Sequence, residues 1–286
     1  MSTQLRTITI ACLFFAGCFL MAVNATAQTK ISTPAGLFKN GGNYLEGTST
    51  DNGSTLFCTG SSTFTLASST TDPENNLPYT NFTWEEMNTD GTTFQPMTAG
   101  SSPNKANVTN AAPGWHIYRV SATIGAATGC EADPTYFTVY VLPPLKVTPR
   151  VNKTDAEGVS YCSENGAPTG PDAFTFTSVV AFDATPRDIS NTQLPALTID
   201  DFELQYTWSK VDASSVKTTV GNADSYTLTA AANPGHAETY SIALDVNYAA
   251  KTACTYTAPA LYSGTSTTTV VVKEYKKAGK PTITIE

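Results

Sequence analysis

Side chains able to do chemistry are few here: the chain of 286 residues carries six cysteines and two histidines. Nucleophilic catalysis needs a nucleophile and a base within reach of each other. His116 and His236 fall in different halves of the chain, and Glu85 and Glu86 are neighbours that a strand would turn to opposite faces. No Ser-His-Asp or Cys-His set can be assembled from these positions, so we expect no catalytic residues and no enzyme. Metal ligation fares no better. The acidic clusters Asp72-Pro73-Glu74-Asn75 and Asp200-Asp201-Phe202-Glu203 lack the spacing of a calcium loop, and no C-x-x-C pair exists for zinc. The expectation is therefore no metal and no cofactor. Binding is better served. Trp115 follows the turn Pro113-Gly114 with no counterpart later in the chain, and with Tyr79 and Tyr136 it forms the candidate ligand contact.

The elements that must position these residues occur twice. Phe57-Cys58, Phe82-Thr83-Trp84, Pro113-Gly114 with Tyr118, and Cys130 return as Tyr161-Cys162, Tyr206-Thr207-Trp208, Pro234-Gly235 with Tyr240, and Cys254. An ordered recurrence of this kind is the mark of tandem duplication. Period-two alternation dominates, as in Thr63 to Ala67, Tyr79 to Glu85, Ile117 to Ile124 and Tyr136 to Leu142 of the first copy. The second copy repeats it over Phe174 to Val180, Phe202 to Lys210, Tyr226 to Ala230, Thr239 to Val246 and Thr267 to Glu274. Short strands broken by Pro, Gly and Asp turns, with no helical stretch between them, predict an all-β fold of two tandem Ig-like antiparallel β-sandwiches. Pro143-Pro144 mark the boundary, giving sandwiches at 28–143 and 144–286 joined as a semi-rigid rod. Trp84 and Trp208 then belong in the two cores.

The N-terminus reads as a targeting segment. Arg6 precedes an apolar run from Ile8 to Val23 and the small-x-small site Ala25-Thr26-Ala27, so residues 1–27 form a signal peptide cleaved before Gln28. A lipoprotein box ending at Cys18 is the less favoured reading, because Phe15 stands where an aliphatic residue is usual and apolar residues follow the cysteine. The apolar run is too short and too diluted for a membrane-spanning segment. The chain is thus expected to be secreted or held at the cell surface. A formal net charge of −8 with only 14% charged residues argues against nucleic acid and anionic lipid as partners.

Export makes disulfides the default use of cysteine. Losing Cys12 and Cys18 leaves four, and the repeat selects Cys58 with Cys130 and Cys162 with Cys254, one bridge inside each copy.

Phe57-Cys58-Thr59-Gly60, Phe64-Thr65-Leu66, Phe82-Thr83-Trp84, Gly129-Cys130 and Thr138-Val139-Tyr140-Val141 resemble the Ig-like or PKD-like repeats of exported Bacteroidota surface proteins. The second copy departs by insertions at Gly166 to Asp172 and between Phe182 and Asp201. The resemblance implies adhesion, spacing or binding at the cell surface, to protein or glycan, and brings no catalytic residues. Two alternatives stay open: a carbohydrate-binding accessory module, and a fibre subunit that exchanges a β-strand through the tail Pro281 to Ile285, joining neighbouring Ig-like domains.

Overall fold

The computed structural model describes residues 30–37, 55–98, 100–125, 130–152, 159–190, 192, 194–257, 262–263 and 271–281. The signal segment with Cys12 and Cys18, and the tail from Thr282 to Ile285, lie outside them. The chain divides into two units, Met1–Lys30 and Ile31–Glu286, and every strand among the described residues lies in the second.

The fold is all-β. The first half holds β1 (Leu56–Cys58), β2 (Phe64–Ala67), β3 (Tyr79–Met87), β4 (Phe94–Pro96), β5 (Lys105–Val108), β6 (Gly114–Ile124), β7 (Cys130–Glu131) and β8 (Thr135–Leu142). The second holds β9 (Leu145–Val151), β10 (Val159–Cys162), β11 (Thr175–Phe182), β12 (Leu204–Val211), β13 (Lys217–Gly221), β14 (Ser225–Thr227), β15 (Glu238–Tyr248), β16 (Lys251–Thr257), β17 (Tyr262–Ser263) and β18 (Val271–Tyr275).

The two halves share one topology. In the first, a sheet of order β1-β8-β6-β3-β4, with β7 on β6, faces the pair β2-β5. In the second, β10-β18-β15-β12-β13, with β16 on β15, faces β14-β11-β9-β17. In both, the first strand of the larger sheet runs parallel to the last (β1 with β8, β10 with β18) while its neighbours pair antiparallel. Two facing sheets with that order are Ig-like sandwiches. Trp84 and Trp208 occupy equivalent positions on β3 and β12, are buried, and donate their indole N–H to the carbonyls of Pro103 (3.2 Å) and Ala223 (3.0 Å).

Period-two alternation holds where only one face of a strand is covered, as along β15, whose burial alternates from Tyr240 to Tyr248. It fails on β6 and β8. Gly114 to Tyr118 and Thr138 to Leu142 are buried at every position, so this end of the first large sheet is covered on both faces. Tyr118 and Val139 face the small core of the first sandwich with Leu66, Trp84, Ala106 and Val108. Trp115, Ile117, Tyr140 and Leu142 point the other way and join the second half's core with Ile189, Leu194, Phe202 and Tyr248. The expected semi-rigid rod of two separately cored units, divided at Pro143-Pro144, is replaced by halves that share a core.

Candidate functional site

The joint between the halves is built by the segment from Asp183 to Phe202, the stretch by which the second copy is longer than the first. Its backbone meets the first half directly. Arg187 N donates to Pro113 O (2.7 Å), Trp115 N donates to Arg187 O (3.0 Å), and Ser190 N donates to Thr89 O (2.9 Å). Glycine is required twice here. At Gly114 (φ +111°) an added Cβ would lie 2.2 Å from Arg187 O, and at Gly91 (φ +67°) 1.7 Å from Ser190 O. Only a residue without a side chain lets the two backbones approach so closely.

Arg187 then turns its guanidinium into the first half. Nη1 reaches Glu86 Oε1 at 2.7 Å and His116 Nδ1 at 3.0 Å, while Nη2 donates to the Met87 carbonyl. His116 Nε2 lies 2.8 Å from the Ala112 carbonyl, which can only accept, so this nitrogen carries a proton. Nδ1, 2.8 Å from Glu86 Oε1, accepts from Arg187 when the ring is neutral and donates to Glu86 when it is charged. Burial raises the Glu86 pKa, but the hydrogen bond and charge of His116 and the charge of Arg187 outweigh it and hold the carboxyl below its usual value. The Tyr118 hydroxyl, pushed upward by burial and by the Glu86 charge, has no hydrogen-bond partner among the described residues. Glu86, His116, Tyr118 and Arg187 line one side of a cavity of about 430 Å³ with Gln95 and Asn107. A carboxylate whose charge is already matched by an arginine is a structural anchor more than an acid or base. Glu85 faces the opposite side, where its Oε2 accepts from Arg119 Nε (2.7 Å).

Aromatic rings continue the joint. Trp115 sits edge-on to Tyr140 (4.8 Å), Tyr140 stacks on Phe202 (6.1 Å), and Phe202 meets Tyr248 (5.2 Å), whose hydroxyl donates to Pro143 O (2.8 Å). Trp115 is 1% exposed and gives its indole N–H to Pro195 O (2.9 Å). The expected ligand contact at Trp115 is therefore corrected: the Asp183–Phe202 segment covers the ring.

The disulfide is corrected as well. Cys58 bonds Cys254, with Cα atoms 5.4 Å apart, and Cys130 and Cys162 are free thiols. The register explains why bridges inside each copy do not form. Cys58 pairs with Leu142 at the Gly114 end of β6, whereas Cys130 pairs with Ile124 at its other end. At about 3.3 Å per residue these ends are roughly 30 Å apart. Cys162, beside Tyr275, and Cys254, beside the Tyr248 end of β15, are separated in the same way.

Of the other candidate contacts, Tyr136 lines a cleft of about 510 Å³ in the first half, and Tyr79 does not. The cleft runs between β2 and the larger sheet, with Phe57, Phe64, Trp84 and Phe137 on its walls. Phe57 stacks on Phe64 at 4.3 Å, and Tyr136 and Phe137 are 37% and 39% exposed. Tyr79 is half-buried against the edge of Phe82 (6.0 Å).

Among the described residues one cluster offers mixed metal donors: His236, Glu238 and Glu274, with ligand atoms within 4.8 Å of one another. His236 Nδ1 is 3.3 Å from Glu274 Oε2 and Nε2 is 3.7 Å from Glu238 Oε2. Lys210 Nζ already donates to Glu238 (2.6 Å) and Tyr161 OH to Glu274 (3.2 Å), so both carboxylates have donors without an ion, while His236 Nδ1 is buried with no hydrogen-bond partner among the described residues. The two acidic clusters are turn devices: Asp72 accepts from Glu74 N (3.0 Å) and Asn75 Nδ2 (2.8 Å), and Asp201 forms a capping box with Thr198.

Sequence reasoning missed Arg187, Phe57, Phe64 and Phe137 as site residues. The insertion between Phe182 and Asp201, present in one copy alone, was the signal that could have pointed to Arg187.

No protein-family model and no curated protein matches the chain. Among solved structures it is similar to Clostridium thermocellum CbhA fibronectin(III)-like modules, at 14% identity over 78% of this chain and 88% of that one, TM-score 0.30. A 1.5-MDa bacterial ice-binding adhesin aligns at 12% identity over 78% of this chain and 59% of that one, TM-score 0.30. The amphioxus IgVJ-C2 molecule aligns at 13% identity over 65% of this chain and 88% of that one, TM-score 0.26. At these scores the likeness carries no functional inference, and the Ig-like assignment rests on strand order and register.

Proposed function

We propose that the chain is a non-enzymatic exported module of the kind its repeats resemble in Bacteroidota surface proteins, two Ig-like sandwiches locked into one rigid spacer for adhesion or binding. The observation that carries this reading is the joint. A disulfide, a backbone seam, a half-buried Arg187-Glu86-His116 set and an aromatic ladder all hold the two halves in one orientation, which a spacer needs and an independent pair of binding units does not. Spin labels at the exposed Thr65 and Thr218, in a Cys130→Ser/Cys162→Ser background, test it by the distance distribution between them. One narrow peak is expected; a broad distribution would refute rigidity. N-terminal sequencing of protein from the native host separately tests export, with Gln28 as the expected first residue.

The cleft at Phe57, Phe64, Tyr136 and Phe137 supports a second reading, glycan or peptide binding, because stacked and exposed rings suit apolar sugar faces. A glycan array bound by wild type and lost in Tyr136→Ala supports it; an array blank for wild type rejects it. Strand exchange through Pro281 to Ile285 stays a proposal, tested by removing residues 276–286 and comparing size-exclusion profiles.

A further inference from the structure

The formed bridge and the two free thiols are related by the internal repeat. Cys58 lies on the first strand of its sandwich, paired with Leu142 at the end of the last strand; Cys162 lies on β10, paired with Tyr275 at the end of β18. Cys254 and Cys130 occupy the matching ribbons, β16 and β7, beside the C-terminal ends of β15 and β6. The bridge thus joins the first-strand cysteine of one sandwich to the ribbon cysteine of the next. Repeating that connection beyond the chain leaves one possibility: Cys162 of one molecule and Cys130 of another.

Placement and charge agree with it. By register each thiol sits at the end of its larger sheet away from the Cys58–Cys254 bridge, Cys162 at the Glu238 end of β15 and Cys130 at the Ile124 end of β6. Cys130 is exposed and followed by the exposed Glu131 and Asp133. Cys162 is half-buried, and the exposed Lys276, Lys277 and Lys280 follow its strand partner Tyr275; Lys277 pairs with Glu164 (2.8 Å), so two lysines of the flank remain to set its sign. An acidic flank at one thiol and a basic flank at the other favour unlike ends meeting and oppose like ends.

We propose that this chain forms covalent head-to-tail chains with copies of itself through a Cys162–Cys130 disulfide. The proposal rests on the exported reading, since an oxidising space must supply the oxidant, a small-molecule or protein disulfide. Cys130 thiolate attacks that disulfide, forming a mixed disulfide and releasing one thiolate. Cys162 thiolate of the next molecule then attacks the Cys130 sulfur and expels the second. Two protein thiols are oxidised to one disulfide, and the reagent disulfide is reduced to two thiols that take up the two protons the protein thiols lose. The copy that supplies Cys130 has no counterpart of the Asp183–Phe202 segment to cover the new joint, so the link between molecules is a flexible, reducible one.

The test is oxidation of purified full-length Cys12→Ser/Cys18→Ser protein, whose free thiols are Cys130 and Cys162, with glutathione disulfide, followed by a non-reducing gel and peptide mapping of the cross-linked material. A ladder is expected, with Cys130–Cys162 peptides well above the one half that random pairing of two thiols yields. Cys130→Ser and Cys162→Ser should each stop at dimer, and Lys276→Glu/Lys277→Glu should pull the mixed share down to one half or below. A random or like-with-like distribution in wild type overturns the proposal. Because the oxidant is added, this readout is independent of whether host protein begins at Gln28.

Discussion

Arg187 is the side chain on which the joint turns. Replacing it with alanine leaves Glu86 half-buried without its guanidinium and removes the donor that Arg187 gives to the Met87 and Trp115 carbonyls. We expect a loss of about 2–3 kcal/mol in urea unfolding. Gly114→Ala should be worse, about 3 kcal/mol or more, since its Cβ would lie inside the Arg187 backbone. Gly60 provides the control, because its φ of +83° is also left-handed but nothing lies within 4 Å of its would-be Cβ. Gly60→Ala should therefore cost only about 1 kcal/mol, from the backbone conformation alone. Glu86 also sets an acid limit. Its folded pKa is depressed below the ordinary 4.5, so its stabilisation is complete above that value and disappears as pH falls through the lower folded value. Stability measured from pH 6 to pH 3 should fall with a component that Glu86→Gln removes; an unchanged slope in that variant would show that the acid sensitivity lies elsewhere.

At the scale of elements, most strands were legible from alternation and turn residues. Tyr79 to Glu85 became β3, longer by two residues at its end, and Thr239 to Val246 became β15, longer by one residue at its start and two at its end. What period two could not show is which strands have both faces covered, because β6 and β8 owe their second cover to a segment about 70 residues away in sequence. The same gap misplaced the disulfide. The repeat correctly identifies equivalent cysteines, yet equivalence says nothing about which end of a sheet each occupies, and register puts the members of one copy roughly 30 Å apart. Cys58→Ser should thus unfasten two halves and not loosen one. With a sequence separation of 196, the chain-entropy model sets an upper figure of about 5 kcal/mol for that loss. Thermal unfolding with and without reductant checks it, and Cys58→Ser in oxidising buffer should match reduced wild type.

For the whole molecule, the shared core predicts that the halves will not separate cleanly. A fragment of residues 28–143 would expose Trp115, Ile117, Tyr140 and Leu142, all now at most 1% exposed. We expect it to aggregate or to bind a hydrophobic dye strongly, where the full chain does neither; a monomeric, cooperatively folding fragment would show that the first sandwich is self-sufficient. The bridge that crosses the joint also decides how the molecule responds to pulling. Tension applied between the two chain ends enters at Cys58, passes through the sulfur pair, and leaves at Cys254, so the 196-residue span between them never lies in the load path. Both sandwiches would then hang beside the line of force and keep most of their strands unstretched, with β1, the end of β16, β17, β18 and the flanking segments free to lengthen. In a force spectrometer, the oxidised chain should show short extensions, and reduction should release the long ones.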